Sequence, residues 1–377
     1  MVELPKIKIL YVVSTLRSSG PTNQLLETIK HLDKSSFEAS ILTLSPEPEN
    51  SMIDLFKKNS IIVNSLSLSR KNFLIKGRKL LKGYIDTLRP DIVHTSGIRA
   101  DVELTKLTGD FKHCLTVRNF VYEDYVAKFG NFVGKLASKS AIVSMKKCDN
   151  VVYCSRSLSE KYKEIISKKP YVIQNGANKE IYSSVNKYEK DRIRTELGVP
   201  INKTIFLMVG SLIKRKDPLT VIKAFNQYSL NNKDSLLLIL GEGSLKENCR
   251  QIANEKVIFK GSVKNVQDYL KSSDFFVSAS ESEGLPNSVL EAGLTGIETI
   301  LSDIPEHNEI YENNKGLLNL FTHGDSNELA QKMKSLNVIL DNKLERNNEI
   351  SKYFIENFSS IRMSRDYQDL YKQIITR

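Results

Sequence analysis

Short runs of β-branched and aliphatic residues, separated by stretches of helical periodicity, recur from one end of the chain to the other. In the first half the runs fall at 7–13, 39–44, 91–95, 113–117, 149–155 and 171–174. In the second half they fall at 204–210, 235–241, 256–261, 274–280, 297–302 and 316–320. A near-continuous apolar strand is one buried on both faces, and the intervening helices supply the crossovers that parallel pairing requires. The expected class is α/β, with two doubly wound parallel-sheet, Rossmann-like domains. A length of 377 residues fits two cores better than one. The polar stretch 178–192 contains no apolar strand and reads as the linker, which puts a first domain at 1–180 and a second at 190–360. Residues 325–377 read as helices. Ligands of such sheets bind beyond the carboxyl ends of the strands, so a cleft between the domains is the expected site.

With 40% apolar and 26% charged residues the composition is globular. Apolar runs such as 204–210 fall well short of the roughly 20 residues that cross a bilayer. The N-terminal stretch 1–20 lacks the apolar run and cleavage site of a signal peptide and reads as a first strand, so a cytoplasmic location is expected. The 4 cysteines lack metal or redox spacing and read as reduced thiols. Scattered histidines and the absence of paired aspartates give no metal site.

The net charge of +11 is unevenly divided. Residues 1–180 hold 29 Lys and Arg against 18 Asp and Glu, whereas residues 181–377 hold 26 of each. The basic half favours an anionic partner: nucleic acid, an acidic polymer or a membrane surface. Read as one helix, 128–147 places Lys128, Lys135, Lys139 and Lys146 on a stripe beside Phe129, Phe132, Val133, Leu136 and Val143. That pairing suits a lipid interface, with lysines snorkelling to phosphates; an ordinary solvated surface helix remains the alternative. Segment 70–88 reads as a surface helix with a solvated basic face. No nucleic-acid module is recognisable, and no nucleic-acid partner is expected.

Three segments directly after strands carry candidate chemistry. In 14–32 a small-residue turn leads into a helix at Gly20 and Pro21, whose free N–H groups suit an anion or a sugar hydroxyl. In 205–225 a buried strand delivers Lys214, Arg215 and Lys216 just before a helix, a placement suited to neutralising a diphosphate. In 274–296, Glu283 lies in a Gly-containing turn and Glu291 on the following helix. Their carboxylates can accept hydrogen bonds from sugar hydroxyls, while Gly284 and Leu285 offer backbone N–H groups to phosphate.

The E-G-x-P-x-x-x-x-E segment from Glu283 to Glu291, with 172-VIQNGANKEIY-182, 208-MVGSLIKRKD-217 and 241-GEGSLKENCRQIA-253, resembles the retaining glycosyltransferases of family 4, which have the GT-B fold. The likeness runs from the first strand to about residue 310, and 91–101 and 116–125 are similar to bacterial enzymes of surface-polysaccharide assembly. The resemblance implies a GT-B architecture, two domains facing across a cleft, with the terminal helix 361–377 crossing back to the first. It implies a metal-independent, hexosyltransferase-type enzyme using a nucleotide diphosphate sugar and no cofactor. Glu291 would hold the ribose hydroxyls, and Glu283 with the backbone of Gly284, Leu285 and Pro286 would orient the donor sugar. Lys216 would stabilise the leaving diphosphate, and Gly20, Gly210, Ser211 and Gly243 would lie against the donor. In the family an arginine follows the glycine of V-G-R-L; here that position is Ser211, and Arg215 is expected to supply the charge. The T-x-H position that contacts the sugar is Arg118, followed by Asn119, which points to an acidic or modified group nearby.

The expected activity is retaining transfer of a sugar from a nucleotide diphosphate to a hydroxyl of a lipid-linked or oligosaccharide acceptor in bacterial cell-surface glycan synthesis. The protein is expected at the inner face of the cell membrane, with Lys128, Phe132, Lys135 and Lys139 touching anionic lipid. Two rivals make different predictions. A hydrolysing sugar-nucleotide epimerase of the same architecture converts the nucleotide sugar without an acceptor, and a nucleic-acid-binding protein shows a steep salt dependence.

Overall fold

The computed structural model describes residues 5–337 and 343–377; residues 1–4 of the expected first-strand stretch and 338–342 of the expected helical stretch lie outside the described residues. Two compact units emerge, one from the residues up to Gly176 together with Ser360–Arg377, the other from Ala177–Ser359.

The first unit is built on a parallel sheet of β1 (Ile7–Val13), β2 (Phe37–Thr43), β3 (Ile62–Ser65), β4 (Ile92–Ser96), β5 (Lys112–Val117), β6 (Asn150–Tyr153) and β7 (Tyr171–Val172). Their order is β3-β2-β1-β4-β5-β6-β7. Central β1 pairs on both sides, Ile9 standing opposite Ala39 and Ile92. Alternate residues of β1 enter different cores, as the two-residue strand period dictates. Ile9, Tyr11 and Val13 pack with helices Gly20–Lys30 and Ser360–Ile375, through Leu26, Ile29, Met363 and Leu370. Leu10 and Val12 face the opposite layer, where Leu81, Ile85 and Leu104 come from helices Arg78–Leu88 and Ile98–Leu104.

A buried polar chain runs through the first of these cores. Tyr11 Oη and Tyr371 Oη are 2.9 Å apart, His94 Nδ1 meets Tyr371 Oη at 2.7 Å, and His94 Nε2 meets Thr116 Oγ1 at 2.7 Å. Burial pushes the His94 imidazole down to about 3, so it stays neutral. Both ring nitrogens are satisfied, which is the condition for burying such a network without penalty.

The second unit carries β8 (Thr204–Val209), β9 (Ser235–Leu240), β10 (Val257–Gly261), β11 (Phe275–Ser278), β12 (Glu298–Ser302) and β13 (Leu320–Phe321) in the parallel order β10-β9-β8-β11-β12-β13. Phe206 of β8 stacks on Phe275 of β11 with ring centroids 4.9 Å apart. The expected class, two doubly wound parallel α/β sheets, is the observed one.

The stretch 178–192 runs into a helix, Lys187–Leu197, which Asn186 caps and whose Arg194 is 4% exposed. Arg194 donates to Ser272 O (2.8 Å), Ile201 O (2.9 Å) and Asp274 Oδ2 (2.7 Å), and Asp274 Oδ2 also accepts from Ile205 N at 2.8 Å. Residues 315–317 form a 3-10 turn, leaving only Leu320–Phe321 as strand. The segment 128–147 is two helices, Val121–Phe129 and Asn131–Lys147, broken at Gly130 (φ 78°). Lys128 therefore stands on a different helix from Lys135, Lys139 and Lys146, and the stripe of four lysines does not exist as such. Gly134 is where the two helices cross, since a Cβ there would lie 2.5 Å from Tyr125 O.

At Gly241 φ is 139°, and a Cβ would lie 1.9 Å from Gly210 O. Gly241→Ala is expected to destabilise the fold by about 2–4 kcal/mol, through left-handed strain and overpacking together. Chemical denaturation checks this, and an unchanged midpoint would show that the two loops do not need the close approach.

Candidate active site

The carboxyl ends of β8 and β11 bring together the residues that the sequence singles out in the second unit. Beyond β8, Gly210 N donates to Leu240 O (2.9 Å) and the buried Leu212 anchors the loop, its N–H donating to Glu242 O at 3.0 Å. Lys214–Lys216 then make one 3-10 turn. Asp217, in the left-handed region at φ 42°, accepts from Thr220 N and starts helix Pro218–Asn231. That sharp turn aims Arg215 and Lys216 towards the segment after β11.

There they meet Glu283. Arg215 Nη1 donates to Glu283 Oε2 (2.8 Å) and to Ser282 O (2.6 Å), Lys216 Nζ donates to Glu283 Oε1, and Ser280 Oγ donates to the same oxygen at 2.7 Å. Glu283 is 8% exposed. Burial alone would raise its pKa, but the charges of Lys216 and Arg215 and the hydrogen bonds outweigh it and hold the carboxyl down to about 2. Glu283 is thus ionised at neutral pH and lies against two basic side chains, a formal excess of one positive charge. Its contribution to stability is present above the ordinary carboxylate range and is lost as pH falls towards 2.

Behind Glu283 lies a support that no sequence spacing announces. Ser302 Oγ donates to Ser280 O (2.6 Å), and His307 Nδ1 donates to Ser302 O (2.8 Å). Desolvation pushes His307 down to about 4 and keeps it neutral. Ser280, Ser302 and His307 are all fully buried and are assembled only by the tertiary fold.

Glu291 stands on helix Asn287–Leu294, which follows Gly284, Leu285 and the N-cap Pro286. Burial pushes its carboxyl up to about 7, opposed by a hydrogen bond from the Tyr182 side chain. Tyr182 is a partner that the sequence reading did not single out. Gly243 packs against the loop that carries Ser211, for a Cβ there would lie 2.3 Å from Leu212 O.

The remaining candidates belong to the first unit. Gly20 is the first residue of helix Gly20–Lys30, capped by Ser19. Arg118 follows β5 and donates from Nη1 to Asn175 Oδ1 at 3.2 Å, and Asn119 O accepts from Tyr162 Oη at 3.1 Å. Lys128, Phe132, Lys135 and Lys139 are all exposed. No helix among the described residues is long and apolar enough to cross a membrane.

Comparison with known proteins agrees with this layout. Residues 18–181 match the family model described as Glycosyltransferase Family 4, and residues 189–357 match that of Glycosyl transferases group 1. The chain is 29% identical over 331 residues to the UDP-Gal:alpha-D-GlcNAc-diphosphoundecaprenol alpha-1,3-galactosyltransferase of Escherichia coli, covering 82% of each chain. It is 25% identical to the O-antigen biosynthesis glycosyltransferase WclY of Escherichia coli, over 98% of this chain and 99% of that one. Among solved structures, the Anabaena protein HepE in complex with UDP-glucose superposes with a TM-score of 0.81 at 14% identity, over 97% of this chain and 99% of that one. The two models adjoin and together span most of the sequence, and the sheets repeat the architecture of these neighbours: the chain belongs to the family 4 glycosyltransferases of GT-B fold.

Proposed function

We propose that this glycosyltransferase moves a sugar from a nucleotide diphosphate sugar to a hydroxyl of a lipid-linked diphosphate saccharide, with retention of configuration, during assembly of a bacterial surface polysaccharide. The observation that carries the reading is the convergence of Arg215 and Lys216 on the buried, ionised Glu283 at adjacent strand ends. Breaking the anomeric bond builds negative charge on the leaving diphosphate. A preformed site with a net positive charge stabilises that charge more than it stabilises the ground state. The reading is further supported by a relative named for UDP-Gal and a diphosphoundecaprenol acceptor, and by a structural neighbour holding UDP-glucose.

In this proposal Lys216 and Arg215 neutralise the diphosphate, assisted by Gly20, Gly210, Ser211 and Gly243 beside the donor. Glu283, with the backbone of Gly284, Leu285 and Pro286, orients the sugar, and Glu291 accepts from the ribose hydroxyls. The acceptor hydroxyl attacks on the face from which the phosphate departs, and the phosphate takes its proton; no metal or cofactor enters. Arg118 and Asn119 contact the acceptor or the donor sugar. The enzyme works at the inner face of the cell membrane.

Transfer from a labelled UDP-sugar to a lipid-linked saccharide tests the reading, with the anomeric configuration of the product read by NMR. Inversion would overturn the stereochemistry, and conversion of the nucleotide sugar without acceptor would favour an epimerase. A pH effect follows as well. Glu291 accepts hydrogen bonds best as a carboxylate, so donor KM is expected to rise as pH falls through about 7. Glu291→Gln should raise KM and flatten that profile; a profile identical to wild type would remove Glu291 from the donor site.

A further inference from the structure

We propose that the outer surface of one helical layer of the first unit docks on an anionic bilayer, with Leu74 and Ile75 as an insertion wedge. The wedge arises from a local irregularity. Between Arg70–Asn72 and helix Arg78–Leu88 the chain makes a π-helical turn, Phe73–Gly77. Such turns shift the faces of a helix and often mark functional positions. Phe73 is turned inward, 5% exposed, beneath the Arg99 guanidinium and against Gly77, where a Cβ would lie 2.5 Å from its ring. Leu74 and Ile75 are turned outward, 86% and 85% exposed. Adjacent aliphatic side chains so fully in water mark an interaction site.

A second apolar element lies in the same layer. On helix Asn131–Lys147, Gly134, Ser138, Ala141, Ile142 and Met145 are buried, and the helix packs against Ile98–Leu104. Its opposite face presents Phe132, 85% exposed, with Leu136 and Val143. At about 100° per residue Lys135, Lys139 and Lys146 border that apolar strip on one side and Lys147 on the other. Helix Ile98–Leu104 joins the two elements, since its Glu103 pairs with Arg78 at 3.0 Å and its Arg99 covers Phe73. Both apolar elements therefore face outward from one side of the sheet.

Charge selects the occupant. Lys71, Lys76 and Lys79 surround the wedge as Lys135, Lys139 and Lys146 border the strip, all exposed and none in an ion pair among the described residues. Apolar groups framed by cations match a bilayer with acidic headgroups, where side chains enter the acyl boundary and lysines reach the phosphates. Nucleic acid would leave the aliphatic groups without a partner, and a second copy would set like charges against each other. The inference deepens the proposed function, since it supplies the surface by which a transferase reaches a lipid-linked acceptor.

The chain has no tryptophan, so Leu74→Trp introduces a single indole reporter. With vesicles of phosphatidylglycerol and phosphatidylcholine its emission should shift to the blue and be quenched by brominated acyl chains; with phosphatidylcholine alone it should not move. The double variant Leu74→Ser with Ile75→Ser should keep its melting temperature and lose vesicle partitioning roughly tenfold or more. Lys135→Gln with Lys139→Gln should lose partitioning chiefly on the anionic vesicles. An unshifted indole, a double serine variant that partitions like wild type, or salt-dependent binding of DNA in place of vesicles would overturn the proposal. UDP binding by thermal shift, measured without vesicles, keeps the donor site separate. Wild-type protein that binds UDP but no anionic vesicles overturns the docking surface alone, and wild-type protein that binds anionic vesicles but no UDP overturns the proposed function alone.

Discussion

Replacing Lys216 by alanine is expected to lower kcat roughly 10²- to 10³-fold, the cost, about 2.7–4 kcal/mol, of removing one preorganised group aimed at developing charge. The size follows from the site. Lys216 is one of two cations on Glu283, its side chain is 17% exposed, and it stands in a turn fixed by Asp217 and the buried Leu212. Without it Arg215 still neutralises Glu283, so the carboxylate is not abandoned and the fold should survive. The deficit should therefore appear in kcat with little change in melting temperature. A variant that turns over like wild type would remove Lys216 from the transition state.

Asp274→Ala should have the largest effect on stability, about 3–5 kcal/mol, because breaking a buried ion pair leaves the other charge uncompensated. Asp274 Oδ2 binds both the Arg194 guanidinium and an amide near the start of β8, Ile205 N, while Oδ1 accepts from Lys190 Nζ at 2.7 Å. Arg194 cannot turn to water, being 4% exposed and tied to three backbone carbonyls besides, those of Ser272, Ile201 and Lys203. Denaturant unfolding measures the loss. Asp274→Asn, which retains one acceptor oxygen, should lose less, and equal stability of the alanine variant and wild type would show that the pair is dispensable.

Central strands were legible because burial on both faces leaves an uninterrupted apolar signature, as at 7–13 and 204–209. Edge strand Ile62–Ser65 was missed for the opposite reason: Ile62, Asn64 and Ser65 are exposed, so IVNS carries neither a run nor an alternation. The break at Gly130 turns on a single positive φ, which glycine permits but does not announce. Within the site, Arg215, Lys216, Glu283 and Glu291 were visible because they follow strands in compact motifs. Ser280, Ser302, His307 and Tyr182 were not, since their roles depend on which strand ends become neighbours. The wedge at Leu74 and Ile75 escaped because ordinary helical periodicity does not foresee a π turn.

Helix Ser360–Ile375 gives Met363, Tyr367, Leu370, Tyr371 and Ile374 to a core whose other members precede residue 177. A ribosome therefore delivers the opening unit's last wall only after all of the second unit has emerged. Until then, one side of its sheet has helix Gly20–Lys30 but lacks Ser360–Ile375, Tyr11 and His94 wait for their Tyr371 partner, and a nascent or prematurely terminated chain displays that gap to chaperones and proteases. Synthesis order and completion order are thus reversed: the half made first is the last to close.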